Sequence, residues 1–151
     1  MKTNFDSNAA KLAELTFNLL EDCHQKEIRI ANRNGLTPSE FRCLRLLNRG
    51  EEINNKTLAK RLNLSAGRLT RIVNGLVKKG YTTREIAEGD RRNMKVKLSA
   101  KGERMVSQLN EAYVKIHEEI LENIDVTNHD NLIHGMSQLL TALRKWMTRG
   151  I

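Results

Sequence analysis

Residues 55–74 read NKTLAKRLNLSAGRLTRIVN and carry the most specific structural pattern in the chain. A helix-turn-helix requires a small residue where two helices approach, apolar residues at fixed offsets, a turn, and a second helix with a polar outer face. Ala59 supplies the small residue, and Asn63 stands in the turn, where asparagine tolerates left-handed geometry. The offsets expected to be buried are occupied by Leu58, Leu62, Leu64, Leu69 and Ile72. The stretch therefore predicts two short helices placed almost end to end, although an ordinary pair of helices would satisfy the apolar spacing alone.

The basic charge of the chain is concentrated around this motif. The whole chain of 151 residues has a formal net charge of +8. Residues 56–104 alone hold fourteen Lys or Arg against four Asp or Glu, so the two flanks together are slightly acidic. A local basic patch is the electrostatic footprint of a protein that binds a polyphosphate, because each neutralised phosphate releases counterions. A membrane surface or an acidic protein is the alternative partner.

The second helix of the motif offers polar and basic residues outside its apolar stripe. Arg68 and Arg71 are the strongest candidates, because a guanidinium can pair with guanine through two hydrogen bonds or grip a phosphate. Gly67 is unexpected, since glycine inside a helix costs about 0.5 to 1 kcal/mol relative to alanine, and a close approach to the DNA backbone would explain it. The candidate DNA contacts on this helix are Ser65, Ala66, Gly67, Arg68, Thr70, Arg71 and Asn74.

A change of period after Gly80 predicts a two-stranded hairpin. Apolar residues at 94, 96 and 98 alternate with lysines, and a Gly-Asp turn separates this run from residues 81–86. The tip is basic, and a narrow minor groove attracts arginine, while Asp90 could hold Arg92 in an extended pose. A solvated charged loop is the alternative. The candidate contacts on the hairpin are Asp90, Arg91, Arg92 and Lys95.

Helical patterns on both sides of this region complete the predicted order of four helices, a hairpin and two helices. A first helix runs from Ala10 to about Arg33. Thr37, Pro38 and Glu40 predict a capping box that opens a second helix, which ends at Gly50. Two further helices follow Ser99, the last of them capped by Thr127. We therefore predict a mainly α protein with a small β-hairpin wing, a single domain of residues 1–151 with a winged helix-turn-helix lobe at residues 36–98.

Several classes of function are disfavoured by what the sequence lacks. Cys23 and Cys43 form no CxxC pair, so neither a disulfide framework nor a structural zinc site is predicted, and the cytoplasm is the expected location. The N-terminal region contains Asp6 and Glu14, and apolar runs are short, so neither export nor a membrane span is expected. The common motifs of hydrolases, metalloproteases and nucleotide-binding enzymes are absent. We predict no enzyme activity and no cofactor.

Five segments resemble the MarR regulators, a family named for multiple antibiotic resistance. The resemblance implies a dimeric winged-helix protein that represses transcription at palindromic operators and is released by a small ligand. It implies wing roles for Asp90 and Arg92, and it implies that residues 1–35 and 99–151 form dimerisation helices. It also implies an aromatic or phenolic effector, bound between those helices and the lobe. The matching segments are residues 36–41, 58–62, 79–80, 90–92 and 96–102.

Other inputs and partners stay open at this point. Cys23 could make the chain a redox-responsive regulator of the same fold. Cys23-His24 and His117-Glu118-Glu119 suggest metal ligands but lack any known zinc spacing, so no metal is predicted. Binding of nucleic acid without sequence preference, including structured RNA, is a further alternative. The basic segment carries only Tyr81 as an aromatic residue on which a base could stack.

Overall fold

The computed structural model describes residues 7–86, 89 and 93–149, and within them it is mainly helical with a small antiparallel sheet. This confirms the predicted fold class. The elements in chain order are α1 (Asn8–Arg33), α2 (Pro38–Leu46), β1 (Ile53–Asn54), α3 (Asn55–Leu62), α4 (Ala66–Lys78), β2 (Thr82–Ile86), β3 (Met94–Leu98), α5 (Ala100–Glu122) and α6 (His129–Thr148). A short 3-10 turn, Val126–Asn128, precedes α6.

The chain divides into two compact units. The first, Met1–Leu109, contains α1 to α4, the sheet and the beginning of α5. The second, Asn110–Ile151, contains the remainder of α5 and α6. No helix in the described part of the chain is both long enough and apolar enough to span a bilayer.

The start of α2 follows its predicted cap, but its end does not. Thr37 Oγ1 accepts the backbone N–H of Glu40 at 3.1 Å, and Thr37 N–H donates to Glu40 Oε1 at 3.2 Å, which confirms the capping box. The predicted end at Gly50 is wrong, because α2 ends at Leu46. Leu47 takes an extended conformation, with φ −86° and ψ 126°, and is buried there. Gly50 has φ 74°, so its left-handed geometry serves the turn that leads to β1.

The break between α3 and α4 is confirmed at its predicted position. Asn63 has φ 54° and ψ 47°, the left-handed geometry that ends α3. Leu64 N–H returns to the carbonyl of Ala59 at 2.9 Å, and Ser65 caps α4 by accepting the N–H of Arg68 at 3.3 Å. The chain therefore reverses between the helices with its backbone hydrogen bonds satisfied.

The sheet has three strands where two were predicted. The hairpin of β2 and β3 is present, and the two residues of β1 pair with β3, giving the order β1-β3-β2. Met94, Val96 and Leu98 are buried while Lys95 and Lys97 are exposed, as the alternating pattern predicted. The extra strand places Ile53 opposite Val96 and closes the side of the core next to α3.

The core of the first unit is built from one face of each element. Leu58 and Leu69 are fully buried as predicted, but Leu62, Leu64 and Ile72 are only half-buried. The fully buried side chains that complete the core include Phe41, Leu44, Val73, Leu76, Val96 and Leu109. The apolar stripe of α4 therefore runs through Leu69, Val73 and Leu76.

The second unit departs from prediction at the start of α6. Thr127 was expected to cap this helix, but its N–H and its hydroxyl both donate to Asp125 Oδ1, at 2.9 and 2.8 Å. The aspartate thus organises the preceding 3-10 turn, and α6 begins one residue later, after Asn128, without a side-chain cap.

Candidate nucleic-acid interface

The outward face of α4 carries the residues predicted from its pattern. Its other face is buried through Leu69, Val73 and Leu76, so helical geometry directs the intervening side chains to solvent. Thr70 is half-buried, and its hydroxyl donates to the carbonyl of Ala66 at 2.9 Å. The exposed members of the predicted set are Ser65, Ala66, Gly67, Arg68, Arg71 and Asn74. The structure therefore brings all seven onto one helical segment.

Arg68 and Arg71 differ from Arg61, the nearby arginine of α3, in having no partner among the described residues. Within residues 7–86, 89 and 93–149, neither guanidinium makes a hydrogen bond or an ion pair, whereas Arg61 pairs with Glu51 at 3.2 Å. An unpaired guanidinium keeps all its donors for a ligand and suits a phosphate or a base edge. The face of α4 thus presents two available cations.

A groove between α3 and α4 extends the basic face. Lys56 and Lys60 are exposed on α3 and line the groove with the first turn of α4. Sequence reasoning did not select these lysines, although the local charge excess included them. The full lining is Asn55, Lys56, Ala59, Lys60, Leu64, Ala66 and Thr70. In a helix-turn-helix the first helix faces the nucleic-acid backbone, which is where such lysines would act.

The wing is described only in part. Lys95 is exposed on β3, where it lies opposite Glu85 of β2 in the strand register. Asp90, Arg91 and Arg92, predicted as contacts at the hairpin tip, lie outside the described residues. The neighbouring Gly89 has φ 83°, a left-handed conformation that suits a tight connection.

A hydrogen bond that the sequence did not reveal joins α4 to the wing. The Nη1 of Arg84, in the middle of β2, donates to Oδ1 of Asn74. Both side chains are exposed, so the bond lies at the edge of the predicted contact face. The two residues belong to different elements, and no local periodicity could have paired them.

The C-terminal end of α4 is fixed by buried and backbone contacts. Lys79 Nζ lies 2.9 Å from Oε1 of Glu40, a buried carboxylate on α2. Lys101 Nζ in turn donates to the carbonyl of Lys79 at 2.9 Å. The backbone of Gly102 packs so closely on Tyr81 that an added Cβ would lie 1.8 Å from the Tyr81 carbonyl oxygen. These contacts hold the orientation of α4 against α2 and the start of α5.

The two cysteines have different surroundings. Cys23 is half-buried on α1, with Lys26 Nζ 3.9 Å from its Sγ. Cys43 is buried, and burial, with a smaller contribution from the charge of Glu40, raises its pKa to about 12. Both are free thiols. Among the described residues, no group of three or more His, Cys, Asp or Glu side chains is placed to hold a metal ion.

Comparison with known proteins gives consistent matches. The model of the MarR family matches residues 36–94. SarZ of Staphylococcus aureus (strain USA300), an HTH-type transcriptional regulator, is 30% identical over 106 residues, which cover 70% of this chain and 70% of SarZ.

Solved structures share the fold. A MarR mutant from E. coli aligns with a TM-score of 0.75 at 23% identity, covering 85% of this chain and 96% of that one. FabT of Streptococcus pneumoniae, solved in complex with DNA, aligns with a TM-score of 0.71 at 18% identity, covering 92% of this chain and 99% of that one. These structures show the shared fold, and the SarZ match together with the family model establishes the family. The chain belongs to the MarR family of transcriptional regulators.

Proposed function

We propose that the chain is a repressor that binds a palindromic operator in double-stranded DNA as a homodimer. The observation that carries this proposal is a pair of exposed guanidiniums, those of Arg68 and Arg71, on a helix that follows a left-handed turn. Neither has a partner in the part of the chain that the structure describes. This arrangement matches the recognition helix of a helix-turn-helix, whose N-terminal residues contact base edges in the major groove.

The proposed contacts divide into two elements. The recognition helix uses Ser65, Ala66, Gly67, Arg68, Thr70, Arg71 and Asn74. The wing uses Asp90, Arg91, Arg92 and Lys95, with the arginines entering a minor groove. Residues 36–98 form the DNA-binding lobe in this proposal, and a cytoplasmic, non-enzymatic role follows from it.

Dimerisation is proposed from apolar surface on the terminal helices, residues 1–35 and 99–151. On α1, exposed apolar side chains include Leu12, Leu15, Phe17, Leu19 and Leu20. On α6, they include Leu132, Ile133, Met136, Leu140, Leu143, Trp146 and Met147. Exposed apolar surface of this extent is characteristic of an interface, and a second copy of the chain is the partner that makes an operator palindromic.

An arginine-lined cleft supports the proposed organic effector. The cleft has a volume of about 450 Å³, within the usual range for small-ligand sites. Arg42 Nε lies 3.3 Å from Glu27 Oε2, and the Arg45 guanidinium lies 5.7 Å from the Phe41 ring centre. An aromatic or phenolic acid would place its ring on the apolar floor and compete with Glu27 for Arg42. The lining residues are Glu27, Phe41, Arg42, Arg45, Leu46, Arg61 and Leu62.

The effector proposal is tested with a charged probe and its neutral counterpart. Benzoate should raise the melting temperature of the protein, because it binds the native state, while benzamide at the same concentration should not. Arg42→Gln should abolish the benzoate effect. Equal shifts in melting temperature with benzoate and benzamide would show that the arginines do not bind the effector.

One observation favours redox regulation as a second candidate. Lys26 Nζ lies 3.9 Å from the Sγ of Cys23, and cationic neighbours are characteristic of reactive cysteines. Peroxide treatment should then lower DNA affinity in the native chain and leave Cys23→Ser unaffected. An identical response of the two proteins would leave Cys23 without a regulatory role.

The binding proposal is tested by fluorescence anisotropy with a random-sequence duplex and a hairpin RNA as competing ligands. Arg68→Ala and Arg71→Ala should each weaken duplex binding and lower its salt dependence by about one counterion. Arg49→Ala, which removes an exposed arginine paired with Glu103 on the same unit, is the matched control. Preferential binding of the RNA would favour the alternative of a nucleic-acid-binding protein without a DNA operator.

A further inference from the structure

Arg84 occupies a position from which its side chain reaches the recognition helix. In the strand register Arg84 lies opposite Val96, a fully buried residue, and Thr82, two residues earlier on the same face, is also buried. Arg84 therefore belongs to the face of β2 that packs on the core. Its guanidinium is nevertheless exposed and ends at Asn74 on α4.

The hydrogen bond fixes the orientation of the Asn74 amide. A guanidinium has five N–H donors and no acceptor, so only the carbonyl oxygen of Asn74 can face Arg84. With its oxygen held toward Arg84, Asn74 keeps its NH₂ group for another partner, and no described residue accepts from that group. A free asparagine recognises adenine by using both ends of its amide. A donor alone finds one acceptor on adenine, N7, but two on guanine, N7 and O6, so it favours guanine.

We propose that Arg84 is a positioning residue for base recognition, which holds Asn74 as a hydrogen-bond donor and prevents its two-ended pairing with adenine. This inference rests on the proposed operator binding and adds a specificity to it. Arg84 acts through Asn74 in this account, so its removal changes which base is preferred at one operator position.

The test selects bound sequences from a random duplex pool with the native chain and three variants. The native chain should show one position, lost in Asn74→Ala, at which guanine is preferred over adenine on the order of tenfold. Arg84→Met, which keeps the length of the side chain but no donor, should shift that position toward adenine and leave the others unchanged. The double variant Asn74→Ala/Arg84→Met should show the same base preferences as Asn74→Ala, because loss of Arg84 has no effect once the Asn74 amide is absent.

Asn74→Asp provides a measurement that does not depend on the folding of an Arg84 variant. The aspartate keeps an oxygen for Arg84 but replaces the free donor with an acceptor, so the preference at that position should change to cytosine, whose N4 donates. The inference would be overturned if the base preferred at that position stayed the same in Asn74→Asp or in Arg84→Met. A variant that loses affinity equally for all sequences would count as such a result. Absence of any enriched motif for the native chain would instead refute the proposed operator binding.

Discussion

Lys79, which caps the C-terminal end of α4, places its Nζ 2.9 Å from Oε1 of Glu40, the third residue of α2. The same ammonium donates to the carbonyl of Gly35 in the turn after α1 at 2.9 Å. The Glu40 side chain is only 6% exposed, so the lysine neutralises a carboxylate that has left water. One side chain thus joins the end of α4 to the segment where α1 passes into α2.

Loss of the Lys79 ammonium should destabilise the native state. In Lys79→Met, the buried side chain of Glu40 loses its ion-pair partner, and we expect a loss of about 2 kcal/mol in the free energy of unfolding. This is less than for a fully buried pair, because Lys79 is partly exposed. Urea denaturation measures the loss. Lys78→Met, at the neighbouring exposed position, is the control, and its free energy of unfolding should stay within about 0.5 kcal/mol of the native value. Equal losses in the two variants would contradict the role of the ion pair between Lys79 and Glu40.

Gly102 should tolerate no side chain. Its added Cβ would lie 1.8 Å from the Tyr81 carbonyl oxygen and 2.8 Å from the Tyr81 carbonyl carbon, so the start of α5 must move away from the end of α4. We expect Gly102→Ala to lose about 3 kcal/mol or more of stability. Gly67→Ala is the control, because nothing lies within 4 Å of its added Cβ, and alanine should gain about 0.5 kcal/mol there. A neutral Gly102→Ala in thermal unfolding would contradict the close packing.

The thiol of Cys43 should be unreactive in the folded protein. Because the pKa of Cys43 is raised to about 12, its thiol stays protonated in the folded protein at pH 8, and the reactive thiolate is absent. A chromogenic disulfide reagent should therefore titrate one thiol, that of Cys23, in the native chain at pH 8. It should titrate two in denaturant, where Cys43 returns to an ordinary pKa. Two fast thiols in the native chain would contradict the burial of Cys43, and Cys23→Ser gives the baseline.

The elements that could be predicted from sequence are those whose signals are local. The capping box at Thr37, the left-handed Asn63 and the alternation through Val96 each depend on residues within a few positions, and all three are confirmed. The two-residue β1 was missed, because its existence depends on pairing with β3, some forty residues away in sequence. The end of α2 was misplaced, since burial of Leu47 outweighed the glycine signal at Gly50.

The candidate site divides in the same way. The exposed face of α4 followed from its apolar stripe, because residues opposite Leu69 and Val73 must face solvent. The bond between Arg84 and Asn74 and the ion pair between Lys79 and Glu40 could not be predicted. Both contacts join elements whose relative placement is set by tertiary packing. The sequence alone does not distinguish the basic residues that have protein partners from those that have none.

The wing should contribute electrostatically to binding. Arg92→Ala should weaken duplex binding and reduce the slope of log affinity against log salt by about one, since one cation is removed from between the phosphates that flank the groove. Arg29→Ala, an exposed arginine on α1, should leave both quantities unchanged. Anisotropy titrations at several salt concentrations measure them. If the slope for Arg92→Ala equals that of the native chain, this arginine does not contact the duplex.

Selection of bound sequences from a random duplex pool tests the central claim, operator recognition by a two-fold symmetric dimer, most directly. The account predicts an enriched palindrome whose half-site centres lie one turn of DNA apart, about 34 Å, because two recognition helices must enter successive major grooves. Arg68→Ala and Arg71→Ala should degrade both half-sites equally. An enriched sequence without two-fold symmetry, or no enrichment at all, would contradict it.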